Sequence, residues 1–259
     1  MVWKDHNDES KGIAPCSYTI ENNTYSIKIE QTAEERKEDL KSWMEFLGNM
    51  WGDWRGWWVS GAIAISFITD TYPRTHTNTD IALLRESDLL DYMIERAEQN
   101  NLYLFQRLRS YKKTWSKDDI RKYEVFYPIS KKEAISNLKS NRNYQFCSID
   151  HNGNIVNENR IYDRIKLYFH HLDKKERLIS SEDKRVIEPS WLSNTSIYTT
   201  RTSKKVYSVS LDYLQFNKRS MLSSWRWGKN PKHRQDLERI MQYFEKKSLQ
   251  AVIQPLGLV

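Results

Sequence analysis

The sequence of 259 residues holds only two cysteines, Cys16 and Cys147, far apart and without a metal-ligand spacing. Neither a disulfide framework nor a zinc site is implied. Long hydrophobic runs are missing as well: the longest, Trp57 to Ile68, is too short to span a bilayer and is broken by Ser60, Gly61 and Ser66. Met1 to Ser10 is polar and charged, unlike a secretory signal. No internal repeat or low-complexity tract stands out, and no cluster of Asp and Glu would hold a polycationic small molecule. A soluble, reduced, cytoplasmic protein with no membrane partner is expected.

What is present is basic and aromatic. A formal net charge of +7 and a pI near 9.2 favour an anionic partner such as a nucleotide, RNA or an acidic protein surface. The excess is uneven: Arg107, Arg109, Lys112, Lys113, Lys117, Arg121 and Lys122 crowd one segment, and Arg226, Lys229, Lys232, His233 and Arg234 another. Each is either a solvated loop or a contact for nucleic acid or triphosphate. Hydrophobic content of 39% with 29% charged residues is ordinary for a globular core. The run Trp51, Trp54, Trp57 and Trp58 reads as core or domain packing.

Residues 17 to 29 alternate apolar and polar around Asn22-Asn23, as in a β-hairpin. Thr32 can cap a helix with acids in its first turn and Leu40, Trp43, Met44 and Leu47 on one face. Ser87 can cap a second helix over 88 to 100, after which Leu102 to Phe105 returns as a strand. The pattern then predicts a loop or hairpin over Arg107 to Lys122, a strand over Tyr123 to Ile129, a short helix from Lys131 and a peripheral hairpin within 137 to 160. A strand over Ile165 to Phe169 re-enters the sheet, and helical spacing resumes over Leu211 to Lys218 and His233 to Lys247. The chain divides into an N-terminal hairpin extension (1–31), a core mixing helices and strands (32–175) and a C-terminal region packed on it (176–259).

The most informative stretch begins at Trp58. An apolar strand turns through Ser60-Gly61 into a helix, and a second strand carries His76, Asn78 and Asp80 at every other position. Side chains two apart on a strand share a face, so these three are expected to converge, with Thr77, Thr79 and Ile81 on the other side. A small turn opening a helix offers free N–H groups and the positive end of the helix dipole to a phosphate. The plain alternative is a tight turn beside a solvated edge strand.

This segment resembles the active-site signature of the DNA polymerase β-like nucleotidyltransferases, particularly the aminoglycoside and lincosamide nucleotidyltransferases and their uncharacterised relatives. Those proteins carry a Gly-Gly or Gly-Ser turn followed by an Arg-x-His-x-Asp-x-Asp-Ile run; here the turn is Ser60-Gly61 and the run falls on Arg74, His76, Asn78, Asp80 and Ile81. The segment Arg164 to Leu172 resembles the later strand bearing the family's third acid, with Lys166 at the aligned position. Asp212 to Lys218 and Asn230 to Leu237 are similar to its C-terminal helices, and the likeness covers roughly residues 45 to 245. The resemblance implies an α+β nucleotidyltransferase fold, a mixed sheet flanked by helices with a C-terminal helical region. It implies binding of a nucleoside triphosphate such as ATP and transfer of its nucleoside monophosphate to a hydroxyl. Asp80 and Asn78 would be the catalytic and metal-binding pair, with magnesium or manganese as cofactor. Ser60, Gly61, Arg74, His76, Lys166 and Lys218 would hold the nucleotide.

The match is incomplete where the charge matters. The first carboxylate has become Asn78, which brings no charge and cannot act as a base, and Lys166 reverses the sign of the third position. Either Glu124 or Asp163 supplies the missing acid, or Lys166 replaces one metal, or the site keeps only nucleotide or RNA binding. Asp163 stands three residues before Lys166 and on a regular strand would face the opposite side. Arg74 can pair with a triphosphate oxygen or with an acid such as Glu86, and His76 can orient Asp80, touch phosphate or serve the core. An acidic acceptor site of the kind an aminoglycoside needs is missing, which favours an anionic acceptor.

Overall fold

A computed structural model describes residues 2–5, 18–22, 31–74, 76, 78–114, 120–139, 143–148, 164–175, 177–180, 185–192, 196–223 and 231–253. At its centre is a mixed sheet of β1 (Val2–Asp5), β2 (Tyr18–Asn22), β3 (Trp57–Ser60), β4 (Asn78–Leu84), β5 (Tyr103–Thr114), β6 (Ile120–Pro128), β7 (Asn143–Cys147), β8 (Arg164–Leu172), β9 (Leu178–Ser180) and β10 (Val186–Ile187). The main path runs β1-β2-β6-β5-β7-β8-β4-β3, while β9 pairs with the end of β8 and carries β10. All neighbours are antiparallel except β4 and β8, which run parallel. A separate ribbon joins β11 (Ser196–Thr199) to β12 (Lys205–Tyr207). With helices flanking the sheet, the chain is α+β, as expected.

The first helix, α1 (Ala33–Trp51), begins as its sequence dictates. Thr32 Oγ1 accepts from the Glu35 N–H at 3.2 Å and Glu35 Oε2 accepts from the Thr32 N–H at 2.6 Å, a reciprocal cap that satisfies two otherwise unpaired donors. Its buried face carries Leu40, Trp43, Met44, Leu47 and Trp51 at helical spacing. The Trp43 indole donates to Thr79 Oγ1 at 2.6 Å, fastening α1 beneath β4. The Trp51 indole donates to the Met93 carbonyl at 3.1 Å, fastening it to α3 (Ser87–Glu98), which follows α2 (Gly61–Thr69) in the chain. Trp51 and Trp57 lie buried in the core, and Trp54 is exposed.

After α4 (Lys131–Ser136), the C-terminal half supplies α5 (Leu211–Ser223) and α6 (Pro231–Ile253). Ser210 Oγ accepts from the Tyr213 N–H at 3.2 Å and caps α5, and Pro231 occupies the first position of α6, where no helical N–H is needed. The Val209 N–H donates to the Val59 carbonyl at 3.1 Å, so α5 starts beside β3. Both helices pack against α2. No helix among the described residues is long and apolar enough to cross a membrane.

Two expectations are corrected, and a third falls partly outside the described residues. The segment read as a peripheral hairpin contains β7, a central strand between β5 and β8. Its polar flanks disguised it, but Tyr144, Gln145, Phe146 and Cys147 are all buried, as a strand covered on both faces requires. The second arm expected near Ile155 lies outside the described residues. At the N-terminus, β2 pairs with β1 and β6 and lengthens the main sheet, and the return arm expected after Asn23 also lies outside the described residues. Glu86 rather than Ser87 occupies the N-cap of α3.

Where α1 meets the ribbon, a β-carbon on Gly48 would collide with the Thr200 methyl and come within 3.0 Å of Val206 Cγ2. Ala is favoured over Gly inside a helix by about 1 kcal/mol, whereas overpacking a tight core costs about 1–3 kcal/mol. Gly48→Ala is therefore expected to be a net loss, read as a lower urea midpoint with an unchanged slope; a higher midpoint would show that the ribbon yields.

Candidate active site

Four polar residues stand in one row across the sheet. Ser60 on β3 is in register with Asp80 on β4, Asp80 with Lys166 on β8, and Lys166 with Gln145 on β7. Residues in register share a face. With strands about 4.8 Å apart, the row is roughly 14 Å long. A second row places Asn78 beside Arg164. The opposite face of β4 carries Thr79 and Ile81, both fully buried, so the two-residue period separates core from site as the sequence indicates.

The bend beside the row needs its glycine. Gly61 has φ +66°, a left-handed conformation that favours glycine, and a β-carbon there would overlap Asp80 Oδ2 and approach Asp80 Cγ at 3.2 Å. The carboxylate of Asp80 therefore rests directly against the start of α2. The Ser60 side chain makes no capping hydrogen bond to that helix. Asn78 Nδ2 donates to Asp80 Oδ1 at 3.3 Å.

These groups line a cavity of about 530 Å³, within the usual range of ligand pockets. Ser60, Gly61, Asn78, Asp80, Gln145, Arg164 and Lys166 form its sheet side. Tyr213, Phe216 and Lys218 from α5, and Lys232 and His233 from α6, face them. Burial, and next the nearby Lys218, push His233 below the usual histidine range. Arg185 closes one end, donating to Ser220 Oγ at 2.8 Å and lying 5.1 Å from the centre of the Phe216 ring.

Six of the residues expected at the site thus line one cavity: Ser60, Gly61, Asn78, Asp80, Lys166 and Lys218. Arg74 and His76 are elsewhere. Strand β4 starts at Asn78, so the alternation that carries Asn78 and Asp80 to the cavity does not extend back to His76. Arg74 pairs with Asp236 at 2.9 Å, not with Glu86 or a cavity group. Asp236 is completely buried and also binds Lys218 at 2.8 Å and Arg239 at 3.4 Å. Burial alone would raise the Asp236 carboxyl, but Lys218 and Arg74 outweigh it and hold the group below the usual carboxylate range. His76 lies beside this cluster with its Nε2 lacking a hydrogen-bond partner; burial first, and Arg74 next, push its pKa down to about 3.

The described residues do not fit a pair of divalent ions. Magnesium takes oxygen ligands, chiefly carboxylates and substrate phosphates. Among the described residues, Asp80 is the single carboxylate lining the cavity, and Asn78 turns its N–H toward it. Asp163 and the side chain of Glu124 lie outside the described residues. An ammonium and a dication about 5 Å apart repel by roughly 7 kcal/mol at an effective dielectric of about 20. Lys166 occupies a position of that kind beside Asp80.

Sequence reasoning missed Gln145, Arg164, Arg185 and the role of Asp236. Gln145 was hidden in the segment read as peripheral, and no local signal marks Arg185. Asp236 recurs with Arg239 at helical spacing, which signals an ion pair but not its two distant partners. No family model, curated protein or solved structure matches this chain.

Gly61→Ala places a side chain in a left-handed residue, costing about 1–2 kcal/mol before any displacement of Asp80. A fall in melting temperature of about 4–8 °C is expected for a loss of about 2 kcal/mol in a chain of this size. An unchanged melting temperature would mean that the bend and the carboxylate do not touch. The buried imidazole makes a separate prediction. Above pH 6.5, the ordinary histidine value, folded and unfolded chains both hold His76 neutral. Below it the unfolded chain takes up a proton that the folded chain refuses until about pH 3, so stability falls with acidification. That slope is about 1.4 kcal/mol per pH unit from this residue. Urea unfolding of wild type and His76→Asn between pH 7 and pH 5 measures it, and the variant should show the shallower dependence.

Proposed function

We propose that this chain is a nucleotidyltransferase-like protein that binds a nucleoside triphosphate in the cavity and passes its nucleoside monophosphate to a hydroxyl acceptor. The observation that carries the reading is the contact of the Asp80 carboxylate with the Ser60–Gly61 bend. It sets a proton acceptor beside a helix start, whose first N–H groups have no partner within the helix, the two elements that an in-line phosphoryl displacement needs at one point. In this reading the acceptor oxygen bonds to the α-phosphorus while the bond from that phosphorus to the β-phosphate bridging oxygen breaks. Pyrophosphate leaves with the electron pair, and the acceptor proton passes to Asp80. Arg164, Lys166 and Lys218 offset the charge of the phosphates.

A second reading keeps the ligand without the reaction: a nucleotide- or RNA-binding module of the same architecture. It is favoured by the cation at Lys166, in register with Asp80, the one carboxylate lining the cavity among the described residues. Pyrophosphate release measured with each of the four triphosphates and a mixture of small-molecule, RNA and protein hydroxyl acceptors separates the two. Transfer predicts release that Asp80→Ala abolishes, lowering the rate by at least about a hundredfold as for loss of a general base. Equal traces from wild type and Asp80→Ala, with nucleotide still bound, would leave the binding module.

A further inference from the structure

We infer that the cavity takes its triphosphate directly onto side-chain cations, with Lys166 beside Asp80 in the place a divalent ion would otherwise fill. The inference rests on the reading of the cavity as a triphosphate site and adds how that ligand is held.

The argument starts with β8. Arg164, Lys166, Tyr168 and His170 alternate along the strand, and all four line the cavity together with Leu167, whereas Ile165 and Phe169 are buried away from it. A slip of two residues in either direction would replace Lys166 with arginine or tyrosine at the row containing Asp80, never with an acid. The lack of an acid on this wall therefore belongs to the strand and not to one alignment.

The charge balance points the same way. Arg107, Arg164, Lys166, Arg185, Lys218 and Lys232 line the cavity, and Asp80 is the carboxylate that faces them among the described residues. Lys218 shares Asp236 with Arg74 and Arg239, three cations on one buried anion. That cluster keeps a surplus of positive charge, and Lys218 is its member at the cavity wall. Concentrated positive charge in a recess attracts a polyanion without a counterion to bridge it.

A third observation also concerns a ligand. Gln145 is 3% exposed, lines the cavity next to Lys166, and its Oε1 has no hydrogen-bond partner. A buried carbonyl oxygen calls for a donor. A nucleoside hydroxyl or amino group supplies one, while bare phosphate oxygens do not.

Titration calorimetry of the full chain with ATP and with inorganic tripolyphosphate, each in EDTA and in magnesium, tests the inference. Both ligands are expected to bind in EDTA with dissociation constants no more than about threefold above those in magnesium. Lys166→Glu is expected to weaken binding in EDTA by at least about tenfold, with magnesium restoring much of it. Wild-type binding that appears only with magnesium overturns the inference and leaves the triphosphate reading standing. If neither ligand binds in either buffer, the triphosphate reading itself is lost. The wild-type comparison decides the matter even if the variant does not fold.

Discussion

One buried carboxylate holds the two halves of this molecule in their working relation. Asp236 on α6 gathers Arg74 from the approach to β4, Lys218 from α5 and Arg239 from its own helix. Arg239 continues the tie, donating to Ser66 Oγ on α2 at 3.0 Å and to the Thr71 carbonyl at 2.6 Å. The helix that begins at the Gly61 bend, the strand that bears Asp80 and the helix that bears Lys218 are thereby fixed to one point. Buried ion pairs gain little over a well-packed apolar contact, but removing one partner leaves stranded charge at about 3–5 kcal/mol. Such a cluster specifies an arrangement more strongly than it stabilises it.

The cluster also explains how far the sequence could be read. Asn78 and Asp80 were legible because alternation on a strand is a local rule, and the strand is regular from Asn78 onward. His76 followed the same alternation on paper, yet the strand had not begun, and a segment drawn toward Asp236 obeys the ion pairs and not the pleat. The Thr32 cap and the buried stripe of α1 were likewise local, and the structure bears them out. The rest depended on contacts across long separations. Arg74 and Asp236 are 162 residues apart, and nothing near either one names the other.

Gln145 shows the same limit from the side of composition. A five-residue strand in a stretch rich in Asn, Ser and Lys reads as surface. Its placement between β5 and β8 comes from the pairing of both neighbours, which only the folded sheet reveals. Once β7 is central, a glutamine on its cavity face becomes part of the site, and the row from Ser60 to Gln145 exists.

The parallel pairing of β4 with β8 sets the chemistry of that row. It brings Asp80 beside Lys166, residues far apart in the chain. A carboxylate at the β8 position would make the pair a cation trap, whereas a lysine sets a cation beside the anion, the arrangement that the proposed function uses for a phosphate and a hydroxyl proton. The two proposed outcomes, transfer and binding alone, thus differ in whether Asp80 reaches an acceptor, not in how the phosphates are held. The architecture that gathers the cations is common to both, and the carboxylate pressed against Gly61 is the one element whose loss separates them.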